Sequence, residues 1–500
     1  MLLKPIMIVG TSSNAGKTTL VAGLCRAFAN KGIKTTPFKS QNMSLNSFAT
    51  LHGEEIARST AVQAFAARQE PSIHMNPILL KPKSDTESQI IFHGKVVGDA
   101  NAKEFFFSSE WYQKKFQTIQ TSIKALHESY DLIIAEGAGS CAEPNFRSND
   151  LVNMGMADLL DADVYLVVDI DKGGVFADIL GTLQILELRG PGDRKRIKGI
   201  IINKFRGDKE VLQSAIDFIV AHTKIPIIGV VPYIHDLYLE EEDRIKIYPC
   251  QNPEIDIAVI YLPHISNSSD FNPLCTETNV QVRFVRSPDL LGSPDLIIIP
   301  GTKNTIWDLS YIRKIGWEKI LLTLVPTTPV MGICGGFEMM GKSLYDPNCI
   351  ESDLMQISGF GFFDFIVRFK KDKKVSQVNY RLTLNNIFKN AGEISGYEIH
   401  CGEVEYGKND IPLFVSDHGY DGALSNEPLV FGTFVHDIFK NPVFTRSLIN
   451  YLRDKKKLPP LNSPLTDAND DFEKQCNYLA SILEGSCSIQ LQYDETSVLC

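Results

Sequence analysis

The chain has 500 residues, 44% of them hydrophobic and 22% charged, which is too long for one ordinary core and fits two or three domains of a soluble globular protein. A formal charge of -10 removes the general electrostatic case for nucleic acid binding. Ten cysteines without a repeated CxxC spacing point to a reducing compartment rather than a disulfide framework. The N-terminal MLLKPIMIVG reaches glycine too early for a signal peptide, and no later apolar run is long enough for a membrane span, so the expected location is the cytoplasm.

Lys4 to Val9 reads as a short apolar strand feeding GTSSNAGKTT, after which a helix runs to about Asn30. Free amides and a helix N-terminus cradle phosphate, so Thr11, Asn14, Ala15, Gly16, Lys17, Thr18 and Thr19 form a candidate ATP loop. Lys17 supplies a point charge there, and the Thr18 hydroxyl can ligate Mg. Counted from Gly10, the spacing is one residue longer than the strict G-x4-GK[ST] pattern, and Thr11 stands where its first glycine would be, so an ordinary Gly-rich turn is the alternative.

A second strand, Thr35 to Phe38, leads into KSQNMSLNSF. Lys39 can reach phosphate, while Gln41, Asn42, Ser44 and Asn46 crowd amides and hydroxyls at a strand end, where open α/β sheets bind ligands. The competing reading is a polar loop with no role. Glu54 to Glu70 then reads as an Ala-rich helix, with Glu55 near its start facing nucleotide or metal. YDLIIAEGAGS is a fully buried type of strand ending at Glu136, a carboxylate placed to hold Mg or its water opposite the phosphate loop. Cys141 reads as a bystander. Asp150 and Asn153 precede the segment Met154 to Leu160, either to orient a substrate or to cap that helix. VYLVVDID ends in Asp169 and Asp171. GIIINKFRGD ends in Asn203, Lys204 and Arg206, amide and cationic groups suited to a base or a phosphate. Repeated strands with intervening helices make this half a mainly parallel α/β domain.

Apolar periodicity stops and restarts between about Leu237 and Pro253, which divides the chain into 1-240, 254-450 and a polar linker and tail over 451-500. In the second part SDFNPL offers Asp270 after a strand, and DLIIIPGTKNT puts Gly301 and Thr302 where backbone amides can stabilise an oxyanion. VMGICGGFEMMG carries an apolar strand into Cys334, Gly335 and Gly336 and then a helix, a sharp turn that suits a thiolate nucleophile. A buried core cysteine is the plainer reading of that stretch alone. GYEIHCGEVEYG sets Glu398 and His400 on alternating strand positions with Glu403 nearby. LVFGTFVHDIFKN places His436 after Val435 as a general base, and a Cys and a His each at a strand end make an acyl-transfer pair. After about Asn450 the pattern weakens, with a short helix near Phe472 to Leu483.

The motifs GTSSNAGKTT, FKSQNMSLNS, MNPILLKP, AEGAGS with LVNMGMAD, DKGGVFADILGT, INKFRGD, GICGGFEMMG, GYEIHCGE and GTFVHDIFKN, in this order, resemble those of the cobyric acid synthases over residues 4 to about 450. The resemblance implies an α/β protein with an N-terminal P-loop, dethiobiotin-synthetase-like parallel sheet domain using ATP and Mg. It also implies a C-terminal class I glutamine amidotransferase-like domain with Cys334 and His436 as its catalytic pair. The implied partners are L-glutamine and adenosylcobyrinic acid a,c-diamide, amidated at four carboxylates in adenosylcobalamin biosynthesis. Two positions depart from simpler patterns. GSCAEPNF around Cys141 replaces a GSPAEIN-like run, and Ile438 stands where classical glutaminases of this class have a glutamate two residues after the histidine. Cobyric acid synthases look alike in lacking that glutamate, so another group must orient His436. Asp437 is poorly placed to do so because adjacent strand side chains point to opposite faces. The alternatives are a cobyrinic acid a,c-diamide synthase, disfavoured by NMSLNS and NKFRGD, a MinD-like regulatory ATPase, which leaves the Cys334 half without purpose, and a non-catalytic metabolite-binding scaffold. No oligomeric state is legible.

Overall fold

The computed structural model describes residues 3–84, 86–235, 237, 239, 250–383, 388, 391–426, 428–463, 465 and 467–493. The chain forms two compact units, one of residues 1–44, 56–242 and 472–500, the other of residues 45–55 and 243–471. Most of the predicted boundary between Leu237 and Pro253, and the last residues of the tail, lie outside the described residues.

The first unit is built on a six-stranded parallel sheet in the order Ile227–Pro232, Ile197–Phe205, Asp163–Asp169, Ile6–Gly10, Leu132–Glu136, Thr35–Phe38. IMIVG, LIIAE and DVYLVVD are buried along their whole length, as near-continuous apolar strands must be when helices cover both faces. The register pairs Ile8 with Glu136, Gly10 with Val167 and Asp169 with Asn203. Lys17, Lys39, Glu136 and Asn203 therefore all lie at the carboxyl edge.

Where a single Ala-rich helix from Glu54 is expected, Glu55–Ala57 is a strand paired with Ser47–Ala49, and the helix is only Arg58–Ala66. Strand pairing overrides the local helical preference of that segment. The tail also differs from expectation. Ala468–Ser486 is a 19-residue helix whose Cys476, Leu479, Ala480 and Leu483 form a buried stripe against Leu20, Leu24 and Phe28. Fully buried Arg26 clamps it, reaching both Glu473 oxygens at 2.6 Å and the Ala66 carbonyl at 2.7 Å. Residues 472–500 thus belong to the first unit rather than to a separate tail.

The second unit has a six-stranded sheet in the order Val280–Val285, Ile255–Ile260, Leu296–Ile299, Val330–Ile333, Leu429–Thr433, Ala423–Asn426, parallel except for the last pair. A long antiparallel pair, Ile366–Leu382 with Glu393–Glu405, accompanies it. The excursion 45–55 is fastened within this unit: Ser47 N–H donates to Asn267 Oδ1 at 2.8 Å, and Tyr397 OH to Ser47 O at 3.0 Å. Among the described residues no helix is long and apolar enough to cross a membrane.

Candidate active site

At the carboxyl edge of the first sheet several side chains converge on Glu136, which is 2% exposed. Its Oε1 accepts from the Thr18 hydroxyl at 2.7 Å and the Lys39 ammonium at 3.1 Å, and its Oε2 from the Gln63 amide at 2.6 Å. Burial pushes its pKa up. The Lys39 charge, the Thr18 and Gln63 hydrogen bonds and the Lys17 charge outweigh burial and hold the carboxyl below its ordinary value. A hydroxyl and an ionised carboxylate beside a phosphate loop are the hard oxygen donors Mg takes, so Thr18 and Glu136 fit that ion.

Lys17 Nζ folds over the loop to the carbonyls of Ser12 at 3.0 Å and Gly139 at 2.9 Å. Gly16 has φ 96, and a Cβ there would stand 2.1 Å from Asn203 Nδ2, so glycine is what lets Asn203 reach Ala15 O at 2.9 Å. Lys204 Nζ joins Asn14 O at 2.7 Å to Asp169 Oδ2 at 2.8 Å. Thr11 is tied to the sheet through its N–H to Val167 O at 3.1 Å, and Thr19 lies in the first turn of the helix Lys17–Asn30. These candidate ATP residues thus surround one loop. Gln63 went unnoticed in the sequence, where its only signal is a polar residue inside a small-residue helix.

The second site sits at the carboxyl edge of the second sheet. Cys334 follows the strand Val330–Ile333 with φ 50 and ψ -115, a conformation costly for a residue with a Cβ and typical of a nucleophile held on a strained turn. A Cβ on Gly336 would lie 2.0 Å from Ile299 O, so glycine lets the short helix Gly335–Glu338 pack back on the neighbouring strand. Cys334 Sγ donates to Ile399 O at 3.6 Å, and the sulfur is close enough to His436 to act on the imidazole electrostatically.

His436 is 1% exposed, donates its N–H to Tyr397 O at 2.8 Å, and stacks on the Tyr397 ring at 5.3 Å. Its Nδ1 faces Asp270 Oδ2 at 2.7 Å. Burial lowers the imidazole pKa, but the Asp270 charge, then the nearby Cys334, and the hydrogen bond to Asp270 raise it to about 10, which favours the imidazolium at neutral pH. Ideal Cβ positions show how closely the site is gathered: one on Gly301 would meet His436 Cε1 at 3.3 Å, and one on Gly335 would meet Thr302 N at 3.3 Å. The Thr305 hydroxyl and N–H each donate at 2.7 Å, to Glu338 and Glu351 respectively. Burial, with the neighbouring Glu351 charge, pushes Glu338 up to about 8, and burial pushes Glu351 up to about 7. Neither carboxyl was singled out in the sequence.

The two halves match different families. Residues 6–247 match the CobQ/CobB/MinD/ParA nucleotide binding domain, and residues 256–444 the CobB/CobQ-like glutamine amidotransferase domain. Along its length the chain is 44% identical over 497 residues to the cobyric acid synthase of Clostridium botulinum strain Loch Maree, covering 98% of both. It is 41% identical over 498 residues to that of Listeria monocytogenes serotype 4b strain F2365, covering 97% of this chain and 95% of that one. The chain belongs to the cobyric acid synthase family. It is accordingly a glutamine-hydrolysing ligase with a P-loop nucleotide-binding half. The nucleotide-binding match alone is shared with MinD-like ATPases. The amidotransferase match accounts for the Cys334 half.

Within this chain the remaining predicted residues separate. Asn42 Nδ2 bonds Ser59 Oγ at 3.1 Å, and Gln41 and Ser44 lie with it in the first unit. Asn46 lies in the second, accepting from Ser268 N–H at 3.3 Å, so the motif is divided. Glu55 is in the second unit too, paired with Lys373. Both Asp150 oxygens accept backbone N–H groups, from Asn153 at 2.7 Å and Gly155 at 3.0 Å, which caps the helix Met154–Leu160. Asn153 Nδ2 holds the loop carbonyl of Ala138 at 2.8 Å. Burial pushes the Cys141 thiol up to about 12, which suits the bystander reading. His400 stacks on Phe434 at 3.7 Å and bonds Gly402 O at 2.6 Å, while Glu398 accepts from Tyr380 OH at 2.8 Å and pairs with Lys374. These contacts tie both residues into the antiparallel pair of Ile366–Leu382 with Glu393–Glu405. Glu403 pairs with Lys370 at 3.1 Å.

Proposed function

We propose that the protein amidates the b, d, e and g carboxylates of adenosylcobyrinic acid a,c-diamide to give adenosylcobyric acid, using ATP and ammonia released from glutamine. The observation that carries this reading is that its likeness to cobyric acid synthases runs through both sites, at 44% identity over 497 residues.

In the second unit the Cys334 thiolate adds to the side-chain amide of glutamine. Amides of Gly335 and the Gly301–Thr302 loop receive the oxyanion, and His436, cationic beforehand, gives its proton to the departing ammonia. The thioester is then hydrolysed to glutamate, with His436 taking the proton from water. In the first unit a corrinoid carboxylate attacks the γ-phosphorus of ATP and ADP leaves. Ammonia then displaces phosphate from the acyl phosphate, losing a proton as the amide forms. Lys17, Lys39 and Lys204, which bond to the phosphate loop or to Glu136 beside it, would neutralise phosphoryl charge, and Gln63 keeps Glu136 aimed at Thr18. Mg, held by Thr18 and Glu136 with the nucleotide, would supply Lewis-acid stabilisation of the transferring phosphoryl group.

Mass spectrometry of the product made from the a,c-diamide with ATP, Mg and glutamine is the direct test. Each replacement of OH by NH2 lowers the mass by about one unit, and such steps should accumulate until the b, d, e and g positions are converted. No mass change with authentic a,c-diamide would overturn the substrate assignment.

The Glu136→Gln variant should lose roughly 100-fold or more in turnover with only a modest change in ATP affinity. An amide oxygen can replace one of the two carboxylate acceptors that Thr18 and Gln63 now share, but not the charge that Lys39 and Mg require. Unchanged turnover and an unchanged Mg titration would leave Glu136 a purely structural part.

A further inference from the structure

The imidazole of His436 lacks the partner that a carboxylate two residues later would provide. Ile438 occupies that position fully buried, and the Asp437 carboxylate turns to Lys440 at 3.1 Å. Its Nδ1 is nonetheless engaged at 2.7 Å by Asp270, which lies 166 residues earlier on the short 3-10 turn Ser268–Phe271. Both side chains are 2% exposed or less. The other oxygen of Asp270 accepts the Asp437 N–H at 3.0 Å, so the carboxylate is fixed by two bonds to consecutive residues.

We propose that Asp270 is the positioning carboxylate of the glutaminase site, completing a Cys334–His436–Asp270 relay from a part of the chain that precedes the nucleophile. The inference rests on the proposed glutaminase role of Cys334 and His436. A carboxylate on Nδ1 keeps the proton there, leaves Nε2 to face the sulfur and the departing ammonia, and stabilises the ring while it is cationic. The turn bearing Asp270 is itself anchored from both sides: Asn267 Oδ1 accepts Ser47 N–H at 2.8 Å, and Asn46 Oδ1 accepts Ser268 N–H at 3.3 Å. The excursion 45–55 thereby holds the positioning residue within the second unit. Among the described residues the charged and titratable groups around the ring are Asp270, Cys334 and Tyr397, and the neighbouring Asp437 pairs with Lys440.

The experiment compares Asp270→Asn and Asp270→Glu with the parent in full-length protein. It measures glutamine-dependent kcat and KM across pH, ammonia-dependent synthesis, and the rate at which iodoacetamide labels the Cys334 peptide. Asp270→Asn should lower glutamine-dependent kcat about 100- to 10,000-fold with little change in KM, because the amide can present its NH2 to Nδ1 and force the wrong tautomer. The negative charge of Asp270 raises the His436 pKa, so its removal should move the alkaline limb of the glutamine profile to lower pH and slow alkylation at neutral pH. Asp270→Glu should recover part of kcat. The proposal is overturned by an unchanged kcat and pH profile in Asp270→Asn, or by a loss that leaves the alkaline limb and the alkylation rate where they were. If Asp270→Asn does not fold, as read by loss of ammonia-dependent synthesis, the Asp270→Glu pH profile decides in the same way. Retention of glutamine use by Cys334→Ser would instead overturn the glutaminase reading itself.

Discussion

Cys334→Ser should abolish glutamine-dependent amidation, by about 1,000-fold or more, and leave amidation from free ammonia at mildly alkaline pH. The hydroxyl is a far weaker nucleophile than a thiolate, and the imidazolium beside it, held up to about 10, is a poor base for removing a hydroxyl proton at neutral pH. His436→Ala should behave similarly with some residual glutaminase activity, since a thiolate can form without it. Both variants are assayed for amidated corrinoid with glutamine and then with ammonium chloride. A folded Cys334→Ser protein that failed equally with both nitrogen sources would give the thiol a part in the synthetase reaction and sink this division of labour.

Lys17→Ala should remove synthesis from either nitrogen source, by at least about 100-fold, because it acts on the ATP half that both share. The fold should survive. The Lys17 ammonium donates to the carbonyls of Ser12 and Gly139 at the lip of the loop, bonds worth roughly 1 kcal/mol apiece. The loss should therefore appear in ATP turnover, with the melting temperature shifted by only a few degrees. Ammonia-dependent synthesis at the parent rate would refute the phosphate role. The two variants together make a sharp contrast, since one loses a nitrogen source and the other loses activation of the carboxylate.

A pH consequence attaches to the buried histidine. The folded pKa is raised from 6.5 to about 10, so the charged ring contributes stability that is fully present below its unfolded value and is lost as pH rises through the folded one. Alkaline destabilisation should accordingly be weaker in His436→Ala than in the parent.

Local pattern carries a large part of this protein because its sites hang on strand ends. IMIVG before GTSSNAGKTT, LIIAE ending at Glu136, and VMGI ending at Cys334 are apolar runs whose termination marks the residue that emerges at the sheet edge. In parallel sheets those edges coincide, so alternation of strands and helices is enough to bring Thr18 near Glu136, and Cys334 near His436. What a linear reading misses are contacts made by segments with no periodic signal. Asp270 lies on a one-turn element, and its partner is 166 residues away. Gln63 is one polar residue in a small-residue helix, and its value appears only when that helix is set against Glu136.

Sequence by itself determined the α/β class and the phosphate loop, and pointed to the cysteine turn and to Cys334 and His436 as a pair, because each reading follows from short-range stereochemistry and from the shared carboxyl edge. Tertiary structure decided the rest. It divided KSQNMSLNSF between two units, since Ser47–Ala49 finds a strand partner in Glu55–Ala57 and hydrogen-bond partners near Asp270. It recruited the tail through a stripe of Cys476, Leu479, Ala480 and Leu483 that its charged residues obscure in a linear reading. It also supplied the carboxylate that orients His436, because a buried cation selects whichever anion the fold brings within hydrogen-bond reach, wherever in the chain that anion lies.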